Sequence, residues 1–86
     1  MMKIWKPTEA QISTAQKWGI WEKEVSEFEW YYDESETCYI LEGEAEVTDQ
    51  KGDSIHFKTG DMVTFEQGLN CVWKIKKPIR KRYLFG

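Results

Sequence analysis

The chain is poor in the residues that most often reveal a function. It has one histidine, two cysteines and two prolines in 86 residues, and no apolar run approaches the roughly 20 residues of a membrane span. Two cysteines are too few for a disulfide scaffold, and both lie within apolar runs, as reduced structural thiols do. The N-terminus lacks the apolar segment of a signal peptide. We therefore expect one domain, residues 1–86, in the cytoplasm, with a removed organelle-targeting segment as the open alternative.

Charge is unevenly distributed along the chain, although the net charge is only -3. Twelve of the fifteen acidic residues lie between residues 22 and 53, and six of the twelve basic residues lie between 74 and 82. A basic segment can bind nucleic acid, but the same pattern is typical of a charged outer face or of a sheet edge that blocks edge-to-edge pairing. Because the acidic segment belongs to the same small domain and offsets the basic one, nucleic acid is an unlikely partner.

The pattern of apolar residues predicts an all-β fold. The only helix that we expect covers residues 8–17, and the rest of the chain alternates between apolar and polar residues in short runs separated by turns. The alternation changes parity at Gly43, which indicates a bulge or a tight bend. We expect Pro78 to end one strand and a final strand to run over residues 79–85. Many short strands with almost no helix predict a barrel or a sandwich.

Two sequence motifs indicate a family. Glu36 is followed seven residues later by Gly43, and Gly60, Asp61 and Gly68 come further along the chain. This pattern, centred on about residues 28–75, resembles the conserved core of a cupin. The resemblance implies an all-β jelly-roll barrel with a short N-terminal arm. Over nearly its whole length the chain is similar to the minimal single-domain cupins, a family formerly labelled a domain of unknown function and related to the cupin modules of ureidoglycine aminohydrolase.

The histidines that bind metal in cupins are missing from both motifs. By resemblance their positions fall at Trp30, Tyr32 and Cys71, while the proline and asparagine positions of the second motif are Glu66 and Ile75. A mononuclear metal site needs three or more converging ligands. Only Glu36 and Cys71 remain as candidate ligands, and strand parity places His56 outside the barrel. We therefore expect no cofactor, with a divalent metal held by Glu36 and Cys71 as the alternative.

An aromatic and acidic pocket is expected in place of the metal. If the barrel closes as in cupins, one inner face presents Trp30, Tyr32, Glu36, Cys38, Cys71 and Trp73, and Lys81 on the last strand is a possible counter-charge. The simpler alternative is that the rings only fill a small barrel. That alternative explains Glu36 poorly, because a buried carboxylate needs a partner. A hydrogen bond from Tyr32 or an ion pair with Lys81 would satisfy it and would keep the site silent.

Three functions remain open from the sequence. We favour binding of a small polar or aromatic organic molecule in the barrel mouth, with Glu36 as a candidate general acid or base. The alternatives are a metal-dependent enzyme acting on a ureido-type nitrogen compound and a structural or interaction module with a filled barrel. The resemblance also implies a homodimer paired through N-terminal arms, for which Trp5, Trp18 and Trp21 are candidate contacts.

Overall fold

The computed structural model describes all of residues 1–86, which form seven strands and one short helix. In chain order the elements are β1 (Met2–Trp5), α1 (Glu9–Ala15), β2 (Gly19–Lys23), β3 (Ser26–Tyr31), β4 (Glu36–Asp49), β5 (Ser54–Lys58), β6 (Met62–Phe65) and β7 (Asn70–Phe85). Every strand pair is antiparallel. The predicted all-β class is confirmed.

Two long strands, β4 and β7, hold the fold together because each takes part in two layers. The first half of β4 pairs with β6 and with the second half of β7, whose other neighbour is β2. The second half of β4 pairs with β5 and with the first half of β7, whose other neighbour is β3. The first layer therefore has the order β1-β6-β4-β7-β2, and the second has the order β5-β4-β7-β3. This arrangement is the expected jelly-roll.

The bend between the two layers lies at Gly43 and Pro78. The register of β4 on β7 shifts between Ile40 and Ala45, and Gly43 has a φ of 102°. A side chain at Gly43 would collide with the main-chain carbonyl of Pro78, so only glycine fits there. The bulge predicted at Gly43 is confirmed. The expected break at Pro78 is wrong, because β7 runs through it. The interrupted ladder opposite Gly43 tolerates a residue without an N–H.

The N-terminal arm folds back onto its own barrel. β1 pairs with β6, and the Lys6 ammonium lies 2.6 Å from the buried carboxylate of Asp61. The helix is shorter than predicted: it begins after Thr8, whose side chain forms a capping box with Gln11, and ends at Ala15. It is not long and apolar enough to cross a membrane.

The interior is a cluster of thirteen buried residues drawn from most of the strands. Strand parity accounts for its composition. In the first half of β7, for example, Cys71, Trp73 and Ile75 are buried while the residues between them are exposed. Trp73 contacts rings on several sides, with Phe57 and Phe65 at centroid distances of 5.4 and 5.5 Å. Much of the barrel is therefore filled by side chains.

The basic segment of β7 lies directly beside acidic neighbours. Arg80 is 3.2 Å from Glu22 on β2, and Lys77 is 3.6 Å from Glu44 on β4. Glu27 is the cross-strand partner of Lys74. This pairing offsets the positive charge of the segment on the outer face, as one of the two expected placements requires. The other, a sheet edge, is wrong, because β7 lies between β4 on one side and β2 and β3 on the other.

Candidate functional site

A mainly apolar cavity of about 190 Å³ lies between β2, β3, β4 and β7. Nine residues line it, and seven of them are apolar. Five of the nine were predicted as site residues: Trp30, Tyr32, Glu36, Trp73 and Lys81. A cavity of about 150 Å³ lined by apolar side chains holds one benzene molecule, so this cavity has room for a single ring with a small substituent.

The polar groups of the cavity form one buried ion pair. The Lys81 Nζ donates to both oxygens of Glu36, at 3.2 Å to Oε1 and 3.1 Å to Oε2. The two side chains are only 5% (Glu36) and 6% (Lys81) exposed. A carboxylate buried to this extent needs such a partner, because an isolated charge in an apolar site is costly. The pairing of Glu36 with Lys81 that we considered from the sequence is therefore present.

Two tryptophans flank the ammonium group of this pair. The Lys81 Nζ lies 4.7 Å from the ring centroid of Trp21 and 4.8 Å from that of Trp73. Trp21 is the direct cross-strand neighbour of Lys81 on β2, and its ring meets Trp73 edge-on at 6.0 Å. The distances of 4.7 and 4.8 Å between the ammonium nitrogen and the two ring centroids are within the range in which a cation is attracted to a ring face. Lys81 is therefore held by three groups at once: one carboxylate and two indole rings.

Tyr32 is not the hydrogen-bond donor to Glu36. Its hydroxyl accepts a hydrogen bond from Nε1 of Trp73 at 3.2 Å, and its ring stacks on Phe65 at 4.9 Å. Burial raises the pKa of Tyr32, and the negative charge of Glu36 raises it further. Tyr32 is thus a neutral phenol that fixes the orientation of Trp73.

The rim of the cavity is aromatic and partly exposed. Trp30 is 48% exposed and packs edge-on against Phe28 and Tyr32. Phe85, at the end of β7, is exposed on the rim as well. The exposed part of the cavity is therefore aromatic, whereas its two charged residues, Glu36 and Lys81, are buried.

The two predicted thiols do not line this cavity. Cys38 is fully enclosed in the core, and burial raises its pKa to about 12. Cys71 borders a separate open groove beside Trp30, where its thiol donates to the main-chain carbonyl of Trp30 at 3.5 Å. Burial raises the pKa of Cys71 to about 11. Both cysteines are free and protonated near neutral pH, so neither is an activated nucleophile.

The donor set does not fit the metal that the cupin fold usually carries. No three His, Cys, Asp or Glu side chains converge on one point. The carboxylate of Glu36 already faces the Lys81 ammonium, which would repel a metal cation at the same oxygens. Cys71 does not reach the cavity, and His56 is exposed on the outer surface with Glu44. We therefore derive no chemical step through a metal.

Four lining residues were not identified from the sequence: Trp21, Phe28, Tyr83 and Phe85. Strand alternation could have identified three of them, since Phe28 shares its strand face with Trp30, and Tyr83 and Phe85 share theirs with Lys81. It could not have identified Trp21, because the five-residue β2 has no clear alternation of apolar and polar residues. Trp21 was expected as an interface contact, but it is half-buried against Trp73.

Comparison with solved structures gives the same fold. A DUF861 family protein from Thermotoga maritima shares 52% identity with the chain, with each chain covered completely and a TM-score of 0.96. A DUF861 family protein from Pseudomonas syringae pv. tomato shares 28% identity over 79% of this chain and 29% of its own, with a TM-score of 0.72. The Clostridium difficile EutQ protein, at 18% identity and a TM-score of 0.72, is alike in fold over 78% of this chain and 52% of its own.

Sequence comparison identifies the family directly. No curated protein matches the chain. The model of the family described as "EutQ-like cupin domain", however, matches residues 11–83, which is most of the sequence. The matched range includes every lining residue of the cavity except Phe85. The chain therefore belongs to the EutQ-like cupin family.

Proposed function

We propose that the protein binds a small single-ring organic molecule in its aromatic cavity, without a histidine-liganded metal. The observation that carries this proposal is the combination of seven apolar lining residues with one buried ion pair in a space of about 190 Å³. Small-molecule sites are typically apolar clefts with a few convergent polar groups. The ion pair by itself satisfies Glu36, as a purely structural role would also require, so the open space of about 190 Å³ beside the pair is what favours a ligand over a filled barrel.

In this proposal Glu36 acts as a hydrogen-bond acceptor. Its carboxylate is bound by Lys81 through both oxygens, so the general acid or base role considered from the sequence is not needed for binding. Trp30 supplies the rim, while Trp73 and Trp21 supply the walls. The two thiols play no part.

We also propose that two copies of the chain associate and that the protein works in the cytoplasm. β1 lies at an edge of the sheet and presents Ile4, which is 37% exposed. An unpaired edge strand with an exposed apolar residue favours pairing with a second copy. The cytoplasmic assignment is supported by two cysteines that are both free.

Binding of ring compounds tests the proposed function. We expect single-ring probes, such as benzyl alcohol, phenol and 2-pyridone, to change tryptophan fluorescence saturably and to raise the melting temperature. Trp30→Ala should weaken binding about two- to tenfold, since an aromatic pair contributes about 0.5–1.5 kcal/mol. Tyr31→Ala is the matched control, because Tyr31 is exposed to a similar extent (55% against 48%) on the same strand but lies outside the cavity.

Two results would refute this function. The first is that none of a panel of neutral, anionic and cationic ring compounds binds at millimolar concentration. The second is an equal loss of binding in Trp30→Ala and Tyr31→Ala, which would place the probe on the outer surface.

A further inference from the structure

The environment of Lys81 has the chemistry of a receptor for an organic cation. Two indole rings lie 4.7 and 4.8 Å from the Lys81 Nζ, and both carboxylate oxygens of Glu36 lie within 3.2 Å of it. Aromatic faces combined with a carboxylate are the groups that proteins use to bind ammonium ligands. Here the ammonium is supplied by the chain itself.

The charge of this site is already balanced. Glu36 and Lys81 are the only charged residues among the nine that line the cavity, and they neutralise each other. A ligand ammonium would meet the Lys81 charge, while a ligand carboxylate would leave one net negative charge in an apolar space. Both cases are costly, because a buried charge without a partner is poorly solvated. Charge balance therefore favours a neutral ligand.

The ion pair still has unused hydrogen-bonding capacity. An ammonium group has three N–H donors, and Lys81 directs two hydrogen bonds to Glu36. The Cys38 thiol lies beside the pair and hydrogen-bonds with both of its groups, so the third N–H of Lys81 is directed at Cys38. The carboxylate of Glu36 has about four lone-pair sites, of which Lys81 takes two and Cys38 takes one. One acceptor site therefore remains for a ligand, and the O–H of a hydroxyl group or the N–H of a lactam matches it.

We propose that Lys81 is a built-in occupant of a cation site and thereby makes the cavity selective for neutral single-ring molecules bearing a hydroxyl or lactam group. Lys81 is in this view the residue that determines charge specificity. The identity of the neutral ligand rests on the proposed function. The occupation of the cation site by Lys81 does not depend on the proposed function, and a separate measurement tests it.

The experiment compares ligands of matched shape and different charge. Benzyl alcohol is neutral, whereas benzylamine is a cation at pH 7 and benzoate is an anion. In the wild-type protein we expect benzyl alcohol to bind at least tenfold more tightly than either ion, measured by tryptophan fluorescence at constant ionic strength. In Lys81→Met the ammonium is removed while the long apolar stem is kept. We expect benzylammonium to bind this variant at least tenfold more tightly than it binds wild type.

Two further variants assign the effect to the charges. Glu36→Gln/Lys81→Met removes both charges and should show no gain in benzylammonium binding. Lys81→Arg keeps a cation at the site and should exclude benzylammonium as wild type does. If Lys81→Met is destabilised because Glu36 is left unpaired, benzylammonium chloride should raise its melting temperature more than an equal concentration of sodium chloride does.

Each outcome decides the inference. Equal binding of benzylammonium and benzyl alcohol to wild type would overturn it, and that comparison needs no variant. No response of Lys81→Met to benzylammonium, in binding or in melting temperature, would overturn it as well. A gain in Lys81→Met together with a wild type that binds no ring compound would uphold the occupied cation site and refute the proposed function.

Discussion

Cys38 shows how burial beside a charged pair changes the behaviour of one residue. Its side chain is fully enclosed, and burial raises the pKa of its thiol to about 12. In an unfolded chain a cysteine thiol has a pKa of about 8.5. Between these two pH values the unfolded state has released a proton that the folded state still holds. The free energy of unfolding must therefore fall as the pH rises through this range.

The pH dependence of stability tests this difference at Cys38. Below about pH 8.5 both states are protonated, and the thiol adds no slope. Between pH 9.5 and 10.5 the folded protein should lose about 1.4 kcal/mol of stability per pH unit from Cys38 alone. Urea denaturation at pH 8.0, 9.5 and 10.5 measures the total slope for wild type and for Cys38→Ala. The curve of Cys38→Ala should be flatter by that amount, and parallel curves would contradict the prediction.

At the scale of the secondary structure elements, the bulge where β4 crosses β7 positions both layers. Gly43 has a positive φ, and the carbonyl of Pro78 approaches it closely. Gly52, in the turn between β4 and β5, also has a positive φ, of 88°, but nothing lies within 4 Å of its missing side chain. Both glycines therefore need a positive φ, but only Gly43 also lacks space for a side chain.

Alanine substitution separates these two requirements. Gly52→Ala should cost about 1–2 kcal/mol of unfolding free energy, because an L-residue resists a positive φ. Gly43→Ala should cost about 1–3 kcal/mol more, because the new methyl group must displace the backbone of β7. Urea denaturation at pH 7 measures both changes. Equal losses would show that the approach of Pro78 relaxes without cost.

The elements were predictable from the sequence wherever the alternation is regular. In β7 the buried and exposed positions follow the predicted parity, and the parity change in β4 correctly indicated the bulge at Gly43. Pro78 misled the prediction, because its local effect depends on a strand that lies far away in the sequence. The short β2 gave no pattern, so the place of Trp21 was set by packing against Trp73 and could not be read in advance.

At the scale of the whole molecule, the question is whether the chain acts alone. β1 and β2 both lie at edges of the sheet, and each presents an exposed isoleucine: Ile4 at 37% and Ile20 at 42% exposure. We expect sedimentation equilibrium to give about twice the chain mass of 10.3 kDa. Ile4→Lys should shift the protein to the monomer, since a charge on an edge strand opposes pairing.

Ile20→Lys is the matched control for this prediction, because it places the same charge on the other edge strand. It should leave the dimer intact if pairing runs through the N-terminal arm. A wild-type protein of single-chain mass at high concentration would contradict the homodimer. Dissociation by Ile20→Lys but not by Ile4→Lys would place the interface on β2 instead.

The candidate site was predictable in part, for a reason that concerns the whole barrel. Trp30, Tyr32, Glu36 and Trp73 fall within the family motifs, and strand parity added Lys81. The exclusion of Cys38 from the cavity could not be foreseen, because parity gives the inward direction of a side chain but not which part of the interior it fills.

A single strand, β7, carries both Trp73 and Lys81, separated by an even number of positions across the bend at Pro78. Because side chains on a strand alternate between faces, inserting or deleting one residue between them would turn one of the two away from the cavity unless a bulge absorbed the change, as the bulge at Gly43 does in β4. We therefore expect the cavity to tolerate exchanges of side chains in this stretch better than changes in its length.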